Sequence, residues 1–520
     1  MSENEEAVSR PSVPLPGEEW TEQEQYVWAQ VAQGEIANLL TRYQGSDDPT
    51  DAEGWPEERV LRPGFLETIL FEEPFRSEVR RAGVDIVGAW FREPLDLSQG
   101  QIGFVLALQS SRMASDVRCR RLHASADFGF KASAFAGKLD MDGFQVDGSL
   151  FMLESVFGEV NLRGARVGDQ LAMSGSTFGG TLNMDSLHTR SALLMDDGGT
   201  FEEVVLRCAR IGGQLAMVAS TFTGSLNMNA VQVEGSLLMS GGATFKEVVL
   251  RSARIGDQLA MVGSTFNGRI DMTCMQVDGP VFMRSPARFV SDVSMIRIDA
   301  KDVLDIRSAS FGGVLDLRLA TVGVLRDAAD AWPEELRLEG FTYATWDESI
   351  GKLAPRKAKW FVDWIRRSEG YHPKTYDQCA SVLQAAGYDR MANGVRYAGE
   401  WRRLWRRPFS PYGFLQWLMT GFGYRIWYAF VWAALIFGVG VAVFDCTGQA
   451  AGQAIQNGVH PAEYSLDLLL PLVKLRDAHY TKIDLRGPAR WYFYTHQLAG
   501  YLLGYFLVAG LAQFVRRSRP

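Results

Sequence analysis

Ala165-Arg166-Val167-Gly168-Asp169-Gln170-Leu171-Ala172-Met173 returns nearly unchanged at residues 209–217 and again at 253–261, in steps of 44. A looser form, Leu-x-Met, recurs about every 11 residues, as at Leu139/Met141, Leu150/Met152, Leu182/Met184 and Leu193/Met195. Phe marks every second beat, from Phe135, Phe157 and Phe178 on to Phe289 and Phe311. Residues two apart face the same way on a strand, so Leu and Met belong to one surface. Short alternating pieces with Gly or polar corners, repeating every 22 residues, predict the coil of a β-solenoid. Stacked coils satisfy each other's backbone and bury inward side chains as ladders. Helical repeats fit poorly, because Gly recurs inside each unit and no apolar spacing of three or four persists. Roughly eleven coils at a strand spacing of about 4.8 Å would give a rod about 50 Å long. The Met stripe invites a soft-metal reading, but a thioether ladder inside a coil is core filling.

The chain has 520 residues and a net charge of −8, which hides an asymmetry. Residues 1–60 carry 14 acidic and 3 basic side chains, and residues 352–407 carry 13 basic and 5 acidic ones. The acidic total argues against nucleic acid as a partner. Cys119, Cys208, Cys274, Cys379 and Cys446 stand far apart without a C-x-x-C pair, which predicts reduced thiols, with Cys208 and Cys274 as small core residues. The polar, acidic start predicts no signal peptide.

Residues 1–19 read as a disordered tail. Residues 20–82 read as a helical cap over the first coil, opened by a Thr21/Glu24 capping box. Trp28, Val31, Ile36, Leu39 and Leu40 are the expected buried side of its first helix, and a second helical stretch is expected over 63–81. The solenoid then occupies 83–350, with a closing strand within 336–346. A basic helical connector at 351–412 should hold three helices: 356–369, one opened by Pro373 and ended by Gly387, and one from Asp389. The last reaches Trp401-Arg402-Arg403-Leu404-Trp405-Arg406-Arg407, a pattern suited to a membrane interface.

Residues 413–520 read as a membrane domain. The uncharged runs 426–444 and 491–515 are long enough to cross a bilayer. Aromatic residues crowd their starts, and arginines flank them at 402, 403, 406, 407 and 425 and at 516, 517 and 519. Retention of basic flanks inside predicts both termini and the solenoid in the cytoplasm. Between the spans, residues 461–475 are too apolar for an ordinary loop and suit a re-entrant or interfacial segment. There Asp467 is a candidate for a charged ring, with Leu470 and Pro471 beside it.

Together these features resemble a bacterial family of membrane-anchored, pentapeptide-repeat-like β-solenoid proteins. The marks are Gly83-Val84-Asp85-Ile86-Val87-Gly88-Ala89, the A-R-[VI]-G-x-Q-L repeats, Leu338-Glu339-Gly340-Phe341-Thr342-Tyr343, the segment 376–387, Gly423-Tyr424-Arg425 and Tyr464-Ser465-Leu466-Asp467-Leu468. The resemblance implies a mainly β, right-handed solenoid with a helical cap, a helical connector and two C-terminal transmembrane helices in the bacterial inner membrane. Some members carry the label of membrane-associated oxidoreductase. Insertions of one or two residues per coil depart from strict pentads, so a looser coil than a regular square is expected.

No G-x-G-x-x-G joins a strand to a helix, and no H-x-x-H, H-E-x-x-H or paired-cysteine set is present. The histidines His123, His188, His372, His460, His479 and His496 are scattered, and a haem between the spans would have His496 alone. No cofactor is therefore expected. Asp140, Asp142, Asp169, Asp257 and Asp271 could line a hydrolytic face but read as solvated corners. The pairs Arg163/Arg166, Arg207/Arg210 and Arg251/Arg254 recur every 44 residues. They would lie about 10 Å apart along one face, holding an anionic partner or balanced by Glu202, Glu203 and Glu247. The expected function is a non-enzymatic protein-binding scaffold tethered to the bilayer. An oligomeric channel gated by the solenoid is the alternative, and an oxidoreductase comes third.

Overall fold

The computed structural model describes residues 19–347 except 52 and 285, then 356–406, 410–425, 427–451, 460–470 and 488–517. Side chains at 447–451, 488–489 and 510–517 fall outside that description, as do the tail 1–18 and the segment 471–487. Two compact units result: Met1–Lys352 with Arg367–Glu369, and Leu353–Arg366 with Gly370–Pro520.

The first unit is a parallel β-solenoid of about 12 turns with coils of about 22 residues. Inward side chains come in pairs two residues apart. In one coil these are Ala165/Val167, Leu171/Met173, Ser176/Phe178 and Leu182/Met184, all buried, before Leu187/Thr189 starts the next. Each coil is therefore four-sided, and the expected loosening does not occur. The extra residues lengthen the corners and leave the sides intact. Two kinds of corner alternate. After Met173 and Met184 the chain makes a tight turn, with Ser176 N donating to Met173 O at 3.2 Å and Leu187 N to Met184 O at 3.1 Å. Its third residue is left-handed: Gly175 at φ 68°, Ser186 at φ 61°. That is the requirement of a type II turn, and it explains the beat of 11 residues. Cys208 and Cys274 occupy such corners, at φ 56° and 59°, and are exposed. Their expected core role is thereby corrected; Cys119 and Cys379 are the buried ones.

The inward ladders are continuous. Phe135, Phe157, Phe178, Phe201, Phe222, Phe245, Phe266, Phe289 and Phe311 stack with successive centroids 4.8–5.2 Å apart. Beside them Ser133, Ser155 and Ser176 each accept, at Oγ, the backbone N–H of the serine one coil earlier, at 3.0 Å. The hydroxyls of Ser133, Ser155 and Ser176 are thus satisfied within the stack, whereas buried Ser264 Oγ further along has no hydrogen-bond partner among the described residues.

At the N-terminal end, the capping box of Thr21 and Glu24 opens a helix over Glu22–Gln33. Gly34, at φ 81°, ends it, earlier than expected, so Ile36 is 53% exposed. The chain then forms a short strand, Ala37–Asn38, which pairs in parallel with Val84–Val87 of the first coil. The second helical stretch divides into Pro63–Phe71 and Phe75–Glu78. Buried Glu24 is bound by Arg62 at 2.6 Å. At the other end Ser368 bridges to Leu336 and accepts Leu338 N–H at its Oγ, covering an edge that would otherwise be open.

The second unit is helical: Ala358–Arg366, Pro373–Ala385, Asp389–Arg406, Pro411–Thr420, Trp427–Ala451, Pro461–Leu469 and Pro488–Arg517. Among the described residues one helix is long and apolar enough to cross a membrane, over Trp427–Cys446. The second expected span lies in the 30-residue helix Pro488–Arg517. Its length suffices, but its side chains at 510–517, where the expected span ends, fall outside the description.

Candidate functional site

On the solenoid the two arginines of each repeat separate. Arg163, Arg207 and Arg251 sit at tight corners and are ion-paired. Arg163 Nε donates to Asp142 at 2.9 Å, Arg207 Nη2 to Asp185 at 2.7 Å and Arg251 Nε to Asp271 at 2.6 Å. Their partners are thus aspartates of adjacent coils and not Glu202, Glu203 or Glu247. Arg166, Arg210 and Arg254 lie on a flat side, exposed, in one register column with His188 and Gln232 between them. Two strand steps put neighbouring guanidinium groups on the order of 10 Å apart. No ion pair involves these three among the described residues.

Two of the expected corner carboxylates are not solvated. Asp140 and Asp271 are each 4% exposed. Burial raises the Asp140 carboxyl, but hydrogen bonds from Arg120, the Asp142 N–H and Asn161 hold it below the ordinary value. Asp271 behaves alike: burial is outweighed by Thr273 and Arg251. Both belong to a device invisible in the hydrophobic pattern. Asp140, Asn161, Asn183, Asn227, Asp271 and Asp316 each accept, at a side-chain oxygen, the backbone N–H two residues on. Such Asx turns fix the tight corners. Asp169 and Asp257 accept from Ser149 and Ser236 of neighbouring coils. Their role is structural.

Within the helical unit three helices meet at Gly440, Ser465 and His496. Ser465 Oγ donates to Phe437 O at 3.0 Å, and His496 Nε2 lies 3.2 Å from Ser465 O. A carbonyl only accepts, so Nε2 carries a proton; in neutral imidazole Nδ1 then accepts from Tyr492 OH, 3.2 Å away. A Cβ on Gly440 would lie 2.2 Å from Ser465 Oγ, so glycine permits the close approach. Phe444 packs edge-on against Tyr464 at 4.7 Å and Tyr492 at 5.5 Å. Asp467 is fully buried in this unit, and Leu470 is 40% exposed. Pro471 lies outside the described residues, as does the rest of the expected re-entrant segment beyond 470.

The expected interface cluster is partly internal. Trp401 packs on Trp417 at 4.8 Å and on Trp405 at 5.6 Å. Arg402 donates to Tyr376 OH at 3.2 Å, and Arg403 pairs with Glu400 at 3.6 Å. Trp405 is 71% exposed, Arg406 is exposed, and Arg407 lies outside the described residues. Among the described residues no group of three or more His, Cys, Asp or Glu side chains is placed to hold a metal.

The class defined by this architecture is a parallel β-solenoid joined to a helical unit that carries a helix of membrane-spanning length and apolarity. Set against protein-family models, curated proteins and solved structures, the chain matches none.

Proposed function

We propose that this chain is a membrane-anchored β-solenoid serving as a non-enzymatic scaffold for an acidic protein segment. The observation carrying the anchor is an outward apolar surface on two helices: Trp427, Phe430, Leu435 and Val439 on one, Leu498, Tyr505 and Val508 on the other, all 46–65% exposed. Such surfaces are costly in water and at home in hydrocarbon. The Pro488–Arg517 helix would be the second span, its polar His496 and Tyr492 turned onto the neighbouring helices. The solenoid, right-handed and of the pentapeptide-repeat-like bacterial type, would lie in the cytoplasm with both termini, as the flanking arginines direct. Arg166, Arg210 and Arg254 then offer a row of exposed cations to an acidic chain. A channel with Asp467 at an oligomer axis fits less well, because Asp467 is enclosed by its own subunit.

Attachment is tested by alkaline carbonate extraction, which should leave the chain in the membrane pellet, and by a reporter after Pro520, active in its cytoplasmic form alone. Release into the supernatant would remove the anchor. Binding is tested with a synthetic polyglutamate peptide. Salt-dependent binding should fall at least ~10-fold when Arg166, Arg210 and Arg254 are changed to Gln. Equal binding by parent and variant would remove the scaffold reading for this face.

A further inference from the structure

Two helices of the second unit enclose a concavity of about 540 Å³, within the ~300–1,000 Å³ of small-ligand sites. Lys359, Asp363 and Arg366 line it from Ala358–Arg366, and Arg390, Asn393 and Tyr397 from Asp389–Arg406. Each set is spaced three or four residues apart, so each is one helix face. The helices approach closely at Gly394, where a Cβ would lie 2.6 Å from the Ala358 Cβ. Arg425, from the segment ahead of the apolar helix, joins the lining. Four cations and one carboxylate thus share the hollow. The carboxylate, Asp363, lies 3.8 Å from Arg366. Arg425 is held over the Tyr397 ring at 4.6 Å and donates to Tyr428 OH at 2.6 Å. The side chains of Lys359 and Arg390 have no hydrogen bond or ion pair among the described residues. Tyr397 OH accepts from Trp417 Nε1 at 3.0 Å, which leaves its own proton to donate.

We propose that this cavity binds a phosphate ester, its source the headgroup of an anionic glycerophospholipid. Like charges gathered around one hollow repel each other, and an anion between them turns that repulsion into attraction. Phosphate oxygens only accept hydrogen bonds at neutral pH, and the lining is rich in donors: two guanidinium forks without a rigid partner at Arg366 and Arg390, the Lys359 ammonium, the Asn393 amide and the Tyr397 hydroxyl. Arginine forks match phosphate oxygens in pairs, and lysine adds a point charge. A zwitterionic headgroup would bring its own cation into a site already in positive excess. Arg425 stands two residues ahead of the apolar run Trp427–Cys446. On the anchored reading, on which the lipid source rests, the Arg425 rim therefore lies at the depth of the lipid phosphates. Gly423-Tyr424-Arg425, singled out in the sequence, acquires a use here, since Tyr424 and Arg425 both line the cavity. A dissolved phosphate ester presents the same oxygens, and the experiment separates the two sources.

The test uses the full chain in uncharged detergent, titrated calorimetrically with dioctanoyl phosphatidylglycerol, dioctanoyl phosphatidylcholine and glycerol phosphate. Phosphatidylglycerol should bind at least ~10-fold more tightly than phosphatidylcholine. Lys359→Gln combined with Arg390→Gln should weaken that binding by ~10-fold or more at an unchanged melting temperature, because neither side chain holds another part of the fold. Lys374→Gln combined with Arg396→Gln removes the same charge from the same unit outside the cavity, and should bind like the parent. Glycerol phosphate that binds as tightly as the lipid, with the same loss in the cavity variant, would keep the phosphate site and replace the lipid by a soluble ester. Four results would each overturn the proposal: no binding of lipid or ester below about 10 mM, equal binding of the zwitterionic lipid, parental binding by the cavity variant, or an equal loss in the control. The water-soluble ester reads the cavity with or without a membrane. A chain released by carbonate that still binds glycerol phosphate would remove the anchor and leave this site.

Discussion

Phe222 and Phe245 stack with centroids 4.9 Å apart and planes 12° from parallel. They form one step of a ladder in which each ring fills the space between the coil above and the coil below. Phe222→Ala should cost ~3–5 kcal/mol, because no side chain can move along a stack to fill the gap. Urea unfolding monitored by circular dichroism measures the loss. Hydrogen exchange should show the added opening spreading to the coils of Phe201 and Phe245.

Residues on either side of one tight corner should respond differently to charge. Met217 is fully buried, so Met217→Asp places a carboxyl in the core at a cost of several kcal/mol, ~3 or more. Thr221, a few residues on, points outward, and Thr221→Asp should shift stability by no more than about 0.5 kcal/mol. Equal melting temperatures for the two variants would contradict the inward phase of Leu-x-Met.

Two aspartates should give opposite pH dependences. Asp271 is held below its ordinary value, burial being outweighed by Thr273 and Arg251. Its contribution to stability is present above the unfolded-state value and is lost as pH falls through the folded one. Asp85 is raised, chiefly by burial, against the opposing bond from Gln109. Its neutral form favours the fold, and stability is lost as pH rises through its folded value. Accordingly Asp85→Asn should raise the melting temperature at pH 7 and change it little at pH 3. Arg251→Gln should lower it at pH 7 and lose that effect in acid. Melting curves between pH 3 and 7 decide both signs.

Two glycines of one helix should differ sharply. Gly440→Ala drives a Cβ to 2.2 Å from Ser465 Oγ and 2.6 Å from His496 Cε1, whereas a Cβ on Gly438 meets nothing within 4 Å. Gly440→Ala should therefore lower the melting temperature in detergent, by roughly 1–3 kcal/mol of destabilisation. Gly438→Ala should be neutral or slightly stabilising. Matching behaviour would mean that the three helices do not meet as described.

The solenoid was legible because its information is local and periodic. Leu150/Met152 or Leu171/Met173 needs only the two-residue period of a strand, and a 22-residue recurrence leaves few ways to bury it. The capping box at Thr21 was legible for the same reason, since both partners lie within one turn. What lay beyond a single strand was not. Gly34 stops the first helix, and Ala37–Asn38 becomes a strand because the first coil has an open edge, a fact of the fold and not of residues 34–38. Cys208 and Cys274 looked like core residues by chemistry. Their places on left-handed corners follow from corner spacing, which depends on how many residues each side consumes.

The sequence by itself determined the coil, its inward face and an apolar helix of spanning length, because hydrophobic period and run length are properties of consecutive residues. Tertiary structure alone decided which residues become neighbours 21 or 22 positions apart. Stacking paired Arg251 with Asp271, freed Arg166, Arg210 and Arg254 onto another side, and aligned Phe151, Ala172, Leu194 and their successors into one column. It also enclosed Asp467 among helices where the sequence suggested an exposed ring. Each of these depends on a register between coils or helices, and register is set by packing across the fold, which no single stretch of chain contains.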